Sequence, residues 1–113
     1  MNIDAETGKK IQELQILEQN LQNFLMQKQS SQMELNEIIN ALEFLSKSGE
    51  EVYKVIGGIM MKSDKLTLKK ELEEKKKILD IRIHSAEKQE KIIEERTEKL
   101  RKEVNEAITK NKS

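Results

Sequence analysis

The chain contains no proline, no cysteine and no tryptophan. Without cysteine it has no disulfide framework, no thiolate nucleophile and no cysteine-based metal site. Aromatic residues make up only 3% of it, too few large apolar side chains for a compact core to be built easily. Neither sign of charge is in excess: Lys+Arg and Asp+Glu stand at 21 each, so there is no global pull toward nucleic acid or an anionic membrane. No apolar run approaches the roughly 20 residues that span a bilayer, and the N-terminus lacks the apolar region of a signal peptide. These absences predict a soluble cytoplasmic protein. What is abundant is Glu, Lys, Leu, Gln and Ile, with 37% of residues charged. That composition, free of proline, predicts long helices or coiled coil. At 113 residues, a single domain over 1–113 is expected.

One stretch stands apart. In Val52-Tyr53-Lys54-Val55-Ile56-Gly57-Gly58-Ile59-Met60-Met61-Lys62, two apolar runs flank a Gly-Gly pair. Two strands joined by two glycines form a strong hairpin signal, because the primed turns need φ > 0. A hairpin over about 52–62 then pairs Ile56 with Ile59, Val55 with Met60 and Lys54 with Met61. One face carries Val52, Ile56, Ile59 and Met61; the other carries Tyr53, Val55 and Met60. Both faces are largely apolar and both outer edges are open. A lone hairpin is marginal in water, so strand pairing between chains into a shared sheet or barrel is expected. Gly57-Gly58 is not a phosphate loop, since no Gly-Lys-Ser/Thr follows.

The flanking segments read as helices, about 10–46 and about 65–110. In the first, Leu14, Leu17, Leu21, Phe24, Lys28, Ser31, Leu35, Ile38, Leu42 and Leu45 alternate in threes and fours, a coiled-coil seam broken only at Lys28 and Ser31. Residues 1–9 are expected to fray, with Asp4 or Thr7 as possible caps and Gly8 weakening an early start. Gly49 is placed for a left-handed C-cap. Ser63 or Asp64 caps the second helix, where Leu72, Leu79, Ala86, Ile93, Leu100 and Ala107 recur every seven residues. Lys76, Glu90 and Thr97 weaken that seam. Folding about the hairpin sets Leu45 against Leu68, Leu42 against Leu72, Leu35 against Leu79, Lys28 against Ala86, Leu21 against Ile93 and Leu14 against Leu100. The fold class is therefore mainly α: a long antiparallel two-helix coiled coil, an arm of roughly 60 Å at 1.5 Å per residue, joined by one β-hairpin that oligomerises into a shared β-barrel.

The run Glu51-Val52-Tyr53-Lys54-Val55-Ile56-Gly57-Gly58-Ile59-Met60-Met61-Lys62, set between helices and followed by Glu71-Leu72-Glu73-Glu74-Lys75, resembles the β-type subunits of the prefoldin family. Gln19, Gln22, Gln27, Gln29 and Gln32 on the first helix fit the same style. The resemblance covers nearly the whole chain. It implies a co-chaperone subunit that joins α-type subunits and further copies of itself in a hexamer of two α and four β. Their hairpins would merge into a double barrel carrying six coiled-coil arms. The arm ends would hold unfolded protein, without ATP, and pass it to a group II chaperonin.

His84 is the only histidine, and within one helical turn it has only Asp80, Glu87 and Lys88, so no metal site is expected. Carboxylates without a pocket give no support to acid–base catalysis. We expect no enzyme and no cofactor. The expected assembly residues are Val52, Tyr53, Val55, Ile56, Gly57, Gly58, Ile59, Met60 and Met61. The expected client-binding residues, near the free ends of the helices, are Ile11, Leu14, Ile16, Leu17, Leu21, Leu25, Ile92, Ile93, Leu100, Val104 and Ile108, some of which must form the seam instead. A structural coiled-coil spacer, tether or assembly scaffold shares the arm but predicts no binding of denatured protein. Nucleic-acid binding is disfavoured: charge is balanced, and Lys75-Lys76-Lys77 is flanked by glutamates without interleaved aromatics.

Overall fold

The computed structural model describes residues 4–111. Its elements run α1 (Ala5–Lys47), β1 (Glu51–Ile56), β2 (Ile59–Asp64) and α2 (Lys65–Asn111). Two long helices with a two-stranded antiparallel hairpin between them is the architecture expected.

Helix α1 starts five residues earlier than Lys10. Asp4 is the cap: its Oδ1 accepts a hydrogen bond from the Thr7 backbone N–H at 2.7 Å. The Thr7 side-chain and backbone hydrogen bonds hold the Asp4 carboxyl below its ordinary pKa. Thr7 is itself buried, and Gly8 lies inside the helix, its N–H bonded to the Asp4 carbonyl at 3.0 Å. The expected fraying is thus corrected for residues 4–9: a satisfied cap and a buried first turn outweigh the roughly 1 kcal/mol that glycine costs in a helix. Met1–Ile3 lie outside the described residues.

The other end of α1 differs from expectation in kind. Gly49 is not a left-handed cap; among the described residues only Gly57 and Gly58 have positive φ. The last carbonyls of α1 are met by hydroxyls and an ammonium instead. Ser46 Oγ donates to the Glu43 carbonyl at 2.6 Å and Ser48 Oγ to the Leu45 carbonyl at 2.8 Å. Lys65 Nζ donates to the Ser48 and Ser46 carbonyls at 3.1 and 3.4 Å. A lysine opening α2 is unfavourable to that helix's own dipole, but here its charge sits at the negative end of α1.

The hairpin is longer than 52–62, adding Glu51 at one end and Ser63 and Asp64 at the other. Its register is the expected one: Ile56 opposite Ile59, Val55 opposite Met60 and Lys54 opposite Met61. Gly57 and Gly58, at φ 55 and 80, both occupy the left-handed region that a type I′ turn requires.

Of the two candidate caps for α2, Asp64 acts: its Oδ1 accepts from the Thr67 backbone N–H at 2.7 Å. That bond, followed by the Thr67 side chain's, lowers the Asp64 carboxyl below its ordinary value. A depressed folded-state pKa contributes stability that is complete above the unfolded value, near 3.9, and is lost as pH falls through the folded value. Far-UV circular dichroism of wild type and Asp64→Asn during acid titration should show a helix-loss step in wild type below pH of about 4 that is smaller in the variant. Superimposable curves would remove Asp64 from the acid response.

The chain falls into two compact units. In the unit Gln29–His84, Leu35, Ile38, Leu79 and Ile83 form a buried cluster with Leu42 and Leu72 packed against it. The expected partners Leu35 and Leu79, and Leu42 and Leu72, thus meet in one core. Leu45 and Val52 are buried too.

The other unit joins residues up to Lys28 with those from Ser85 onward. Its buried side chains are Thr7, Leu17, Thr97, Leu100 and Val104. Ion pairs link α1 and α2 here, among them Lys10–Glu103 at 3.6 Å, Glu18–Arg101 at 3.2 Å and Lys28–Glu90 at 3.2 Å. As residue numbers rise on one helix they fall on the other, which is antiparallel packing. Lys28 was expected beside Ala86; its ammonium reaches Glu90 instead. Two seam positions that look weak in sequence therefore neutralise one another, and Glu90 is the better buried of the two. Thr97 is the remaining flaw. It is 3% exposed and its hydroxyl has no hydrogen-bond partner, an arrangement that costs stability.

Candidate assembly and binding surfaces

The hairpin presents two unlike faces. On the first, Val52 is buried and Lys54 and Ser63 are half-buried, while Ile56, Ile59 and Met61 are exposed. Lys54 Nζ donates to both Glu71 carboxylate oxygens on α2, at 3.3 and 3.4 Å. The strand residues nearest the helices thus rest on their own chain, and those nearest the turn do not. On the second face, Tyr53, Val55 and Met60 are all more than half exposed. Glu51, Lys62 and Asp64 interrupt it, all away from the turn, with Glu51 and Lys62 paired at 3.0 Å.

Val52 is therefore an anchor within the chain, and the other expected assembly residues form open surface. Among the described residues the sheet has two strands, so each keeps one row of backbone N–H and C=O groups with no partner strand there. Exposed apolar side chains on both faces, together with two free edges, leave backbone and side-chain surface of the kind that takes up an added strand.

In the unit containing the chain's two ends, the expected client-binding residues divide three ways. Leu17, Leu100 and Val104 are buried in the seam between the helices. Ile11, Leu14, Leu21, Ile93 and Ile108 are half-buried. Ile16, Leu25 and Ile92 are exposed, Ile16 at 62% and Ile92 at 59%. Met26, exposed at 67%, joins them and was not anticipated. It lies off the three-four spacing of the seam, between Phe24 and Lys28, and that displacement is itself the signal: an apolar residue off the seam of a two-helix pair has no place in that seam. Methionine suits an adaptable contact because its side chain is unbranched and polarizable.

Lys10, Glu13, Leu17, Arg96, Lys99, Leu100 and Glu103 line an open cleft of about 250 Å³. Its charges are of both signs, and it offers no nucleophile–base pair. Among the described residues no group of three or more His, Cys, Asp or Glu could hold a metal, and His84 is exposed. No described helix is long and apolar enough to cross a membrane.

Known proteins are similar to this chain in architecture and in sequence. A family model described as "Prefoldin subunit" matches residues 8–111. The chain is 36% identical over 110 residues to a protein named prefoldin subunit beta from Sulfurisphaera tokodaii, covering 96% of this chain and 88% of that one. It is 34% identical over 109 residues to the prefoldin subunit beta of Thermococcus onnurineus, covering 95% and 94%. The crystal structure of the prefoldin beta subunit from Thermococcus strain KS-1 superposes with a TM-score of 0.83 at 31% identity, covering 94% of this chain and 95% of that one.

Proposed function

The chain belongs to the prefoldin family, whose members are non-enzymatic chaperone subunits, and on that premise we propose that it is the β-type component of a hetero-oligomer that captures unfolded polypeptides. In this reading it works in the cytoplasm, as one prefoldin domain over its length, assembled as four copies with two α-type subunits. It holds clients without nucleotide and yields them to a group II chaperonin.

One observation carries client capture: Ile16, Leu25, Met26 and Ile92 stand exposed on helices whose seam is already filled by Leu17, Leu100 and Val104. Burying apolar area yields about 25 cal/mol per Å², so a few such side chains bind weakly and without sequence preference. Several subunits on one scaffold raise the effective concentration, giving avidity with fast local release. The half-buried Ile11, Leu14, Leu21, Ile93 and Ile108 extend the surface if the helix ends open.

The test is suppression of aggregation of chemically denatured citrate synthase, followed by light scattering. The quadruple variant Ile16→Ser, Leu25→Ser, Met26→Ser and Ile92→Ser should keep its helicity and assembly while losing suppression at concentrations where wild type is effective, since roughly 1 kcal/mol per side chain lost, over all four, is nearly a thousandfold in affinity. Undiminished suppression would favour a spacer or scaffold with no client surface here.

A further inference from the structure

Lys54 is a cation on a sheet face that is otherwise apolar toward the turn. Its neighbours on that face are Val52, Ile56, Ile59, Ser63 on the side away from the turn and, directly opposite, Met61. Its side chain is drawn toward α2, where the ammonium meets both oxygens of Glu71. The pair is half-buried within the free chain, with side-chain exposures of 30% and 43%. Ile56, Ile59 and Met61 are left as a charge-free patch beside it. The rest of the charge on the hairpin lies on the opposite face, where Glu51 and Lys62 pair with one another.

We infer that Glu71 is an assembly determinant: it neutralises Lys54 and holds its ammonium back, so that the Ile56–Ile59–Met61 patch can be covered by another subunit without burying an unpaired charge. The inference rests on the reading that this face is covered on assembly. Lysine buries its aliphatic stem along apolar surface readily, provided that the ammonium keeps a partner or water. Covering the patch removes the water. The surviving partner is then Glu71, and the energetic weight of the pair appears on assembly, not in the isolated chain, where both groups are partly solvated.

This role differs in its consequences from an ordinary structural salt bridge. A structural clasp is damaged equally by removing either partner. A neutraliser is not: loss of Glu71 strands a cation, whereas loss of the Lys54 charge leaves a partly exposed carboxylate that can turn to solvent. Co-expression with the α-type prefoldin subunit of the same genome, then native mass spectrometry over a dilution series, reads the strength of assembly. Glu71→Ala should weaken it by about tenfold or more, the usual order for stranding one member of a buried charge pair. Lys54→Met should assemble at least as strongly as wild type. The double variant Lys54→Met/Glu71→Ala should recover wild-type strength, which shows that the loss in Glu71→Ala is not misfolding. Assembly of Glu71→Ala at wild-type strength overturns the inference, as does a Lys54→Met as weak as Glu71→Ala. If charging the patch itself with Ile56→Glu/Ile59→Lys, two residues that face one another, also leaves assembly untouched, the reading that this face is covered fails, a separate result.

Discussion

Val55→Glu/Met60→Lys should abolish assembly while leaving the chain as helical as wild type. The two positions face one another across the hairpin and are 66% and 68% exposed. Their replacement by a charged pair of opposite sign keeps a favourable cross-strand contact, so the hairpin itself survives. What is lost is the burial of two apolar side chains against another chain, about 2 kcal/mol each. About 4 kcal/mol per contact is nearly a thousandfold in affinity, before the desolvation of the new charges is counted. Sedimentation velocity of the complex formed with an α-type subunit measures this directly. A sedimenting species of wild-type mass at micromolar concentration would mean that this face of the hairpin is not covered by any subunit.

Leu79→Ala should cost about 3 kcal/mol of stability, the usual cost of a large-to-small change in a packed core. Leu79 is 3% exposed and belongs to the cluster of Leu35, Ile38 and Ile83. Ile81, two residues along the same helix, is 69% exposed, and Ile81→Ala should shift stability by no more than about 0.5 kcal/mol. Urea unfolding followed by circular dichroism separates the two. Both variants must be compared at one protein concentration, because association with other subunits stabilises by mass action. Similar losses at both sites would show that Ile81 is covered in the assembled state.

Much of the architecture was legible because helices and hairpins announce themselves by period. The seam through Leu35, Ile38 and Leu42 and the heptad through Leu72 and Leu79 place the residues that meet in the core. The Gly57-Gly58 pair sets the strand register to the residue. Cap chemistry was partly legible. Asp4 and Asp64 were candidates on residue type, but the start of α1 at Ala5 depended on the burial of Thr7, which no local preference displays. Gly49 misled because glycine after a helix has a strong positional bias, while Ser46, Ser48 and Lys65 supplied the carbonyls' partners by another route.

The surfaces were less legible, because periodicity reports which residues share a face and not which face is covered. Leu17 and Ile16 are neighbours of similar hydrophobicity, yet one is buried and the other 62% exposed. Met26 falls between the patterns, so no period marks it.

Two helices, one turn and the order in which apolar residues line up can be read from the amino-acid order, since these follow from spacing along a single chain. Which group each lysine answers emerged from the packing: Lys28 meets Glu90, Lys54 meets Glu71, and Lys65 meets carbonyls at the end of α1. Charges have no periodicity that names their partners, and a pairing across 17 or 62 residues exists only once the backbone has brought the two groups within reach.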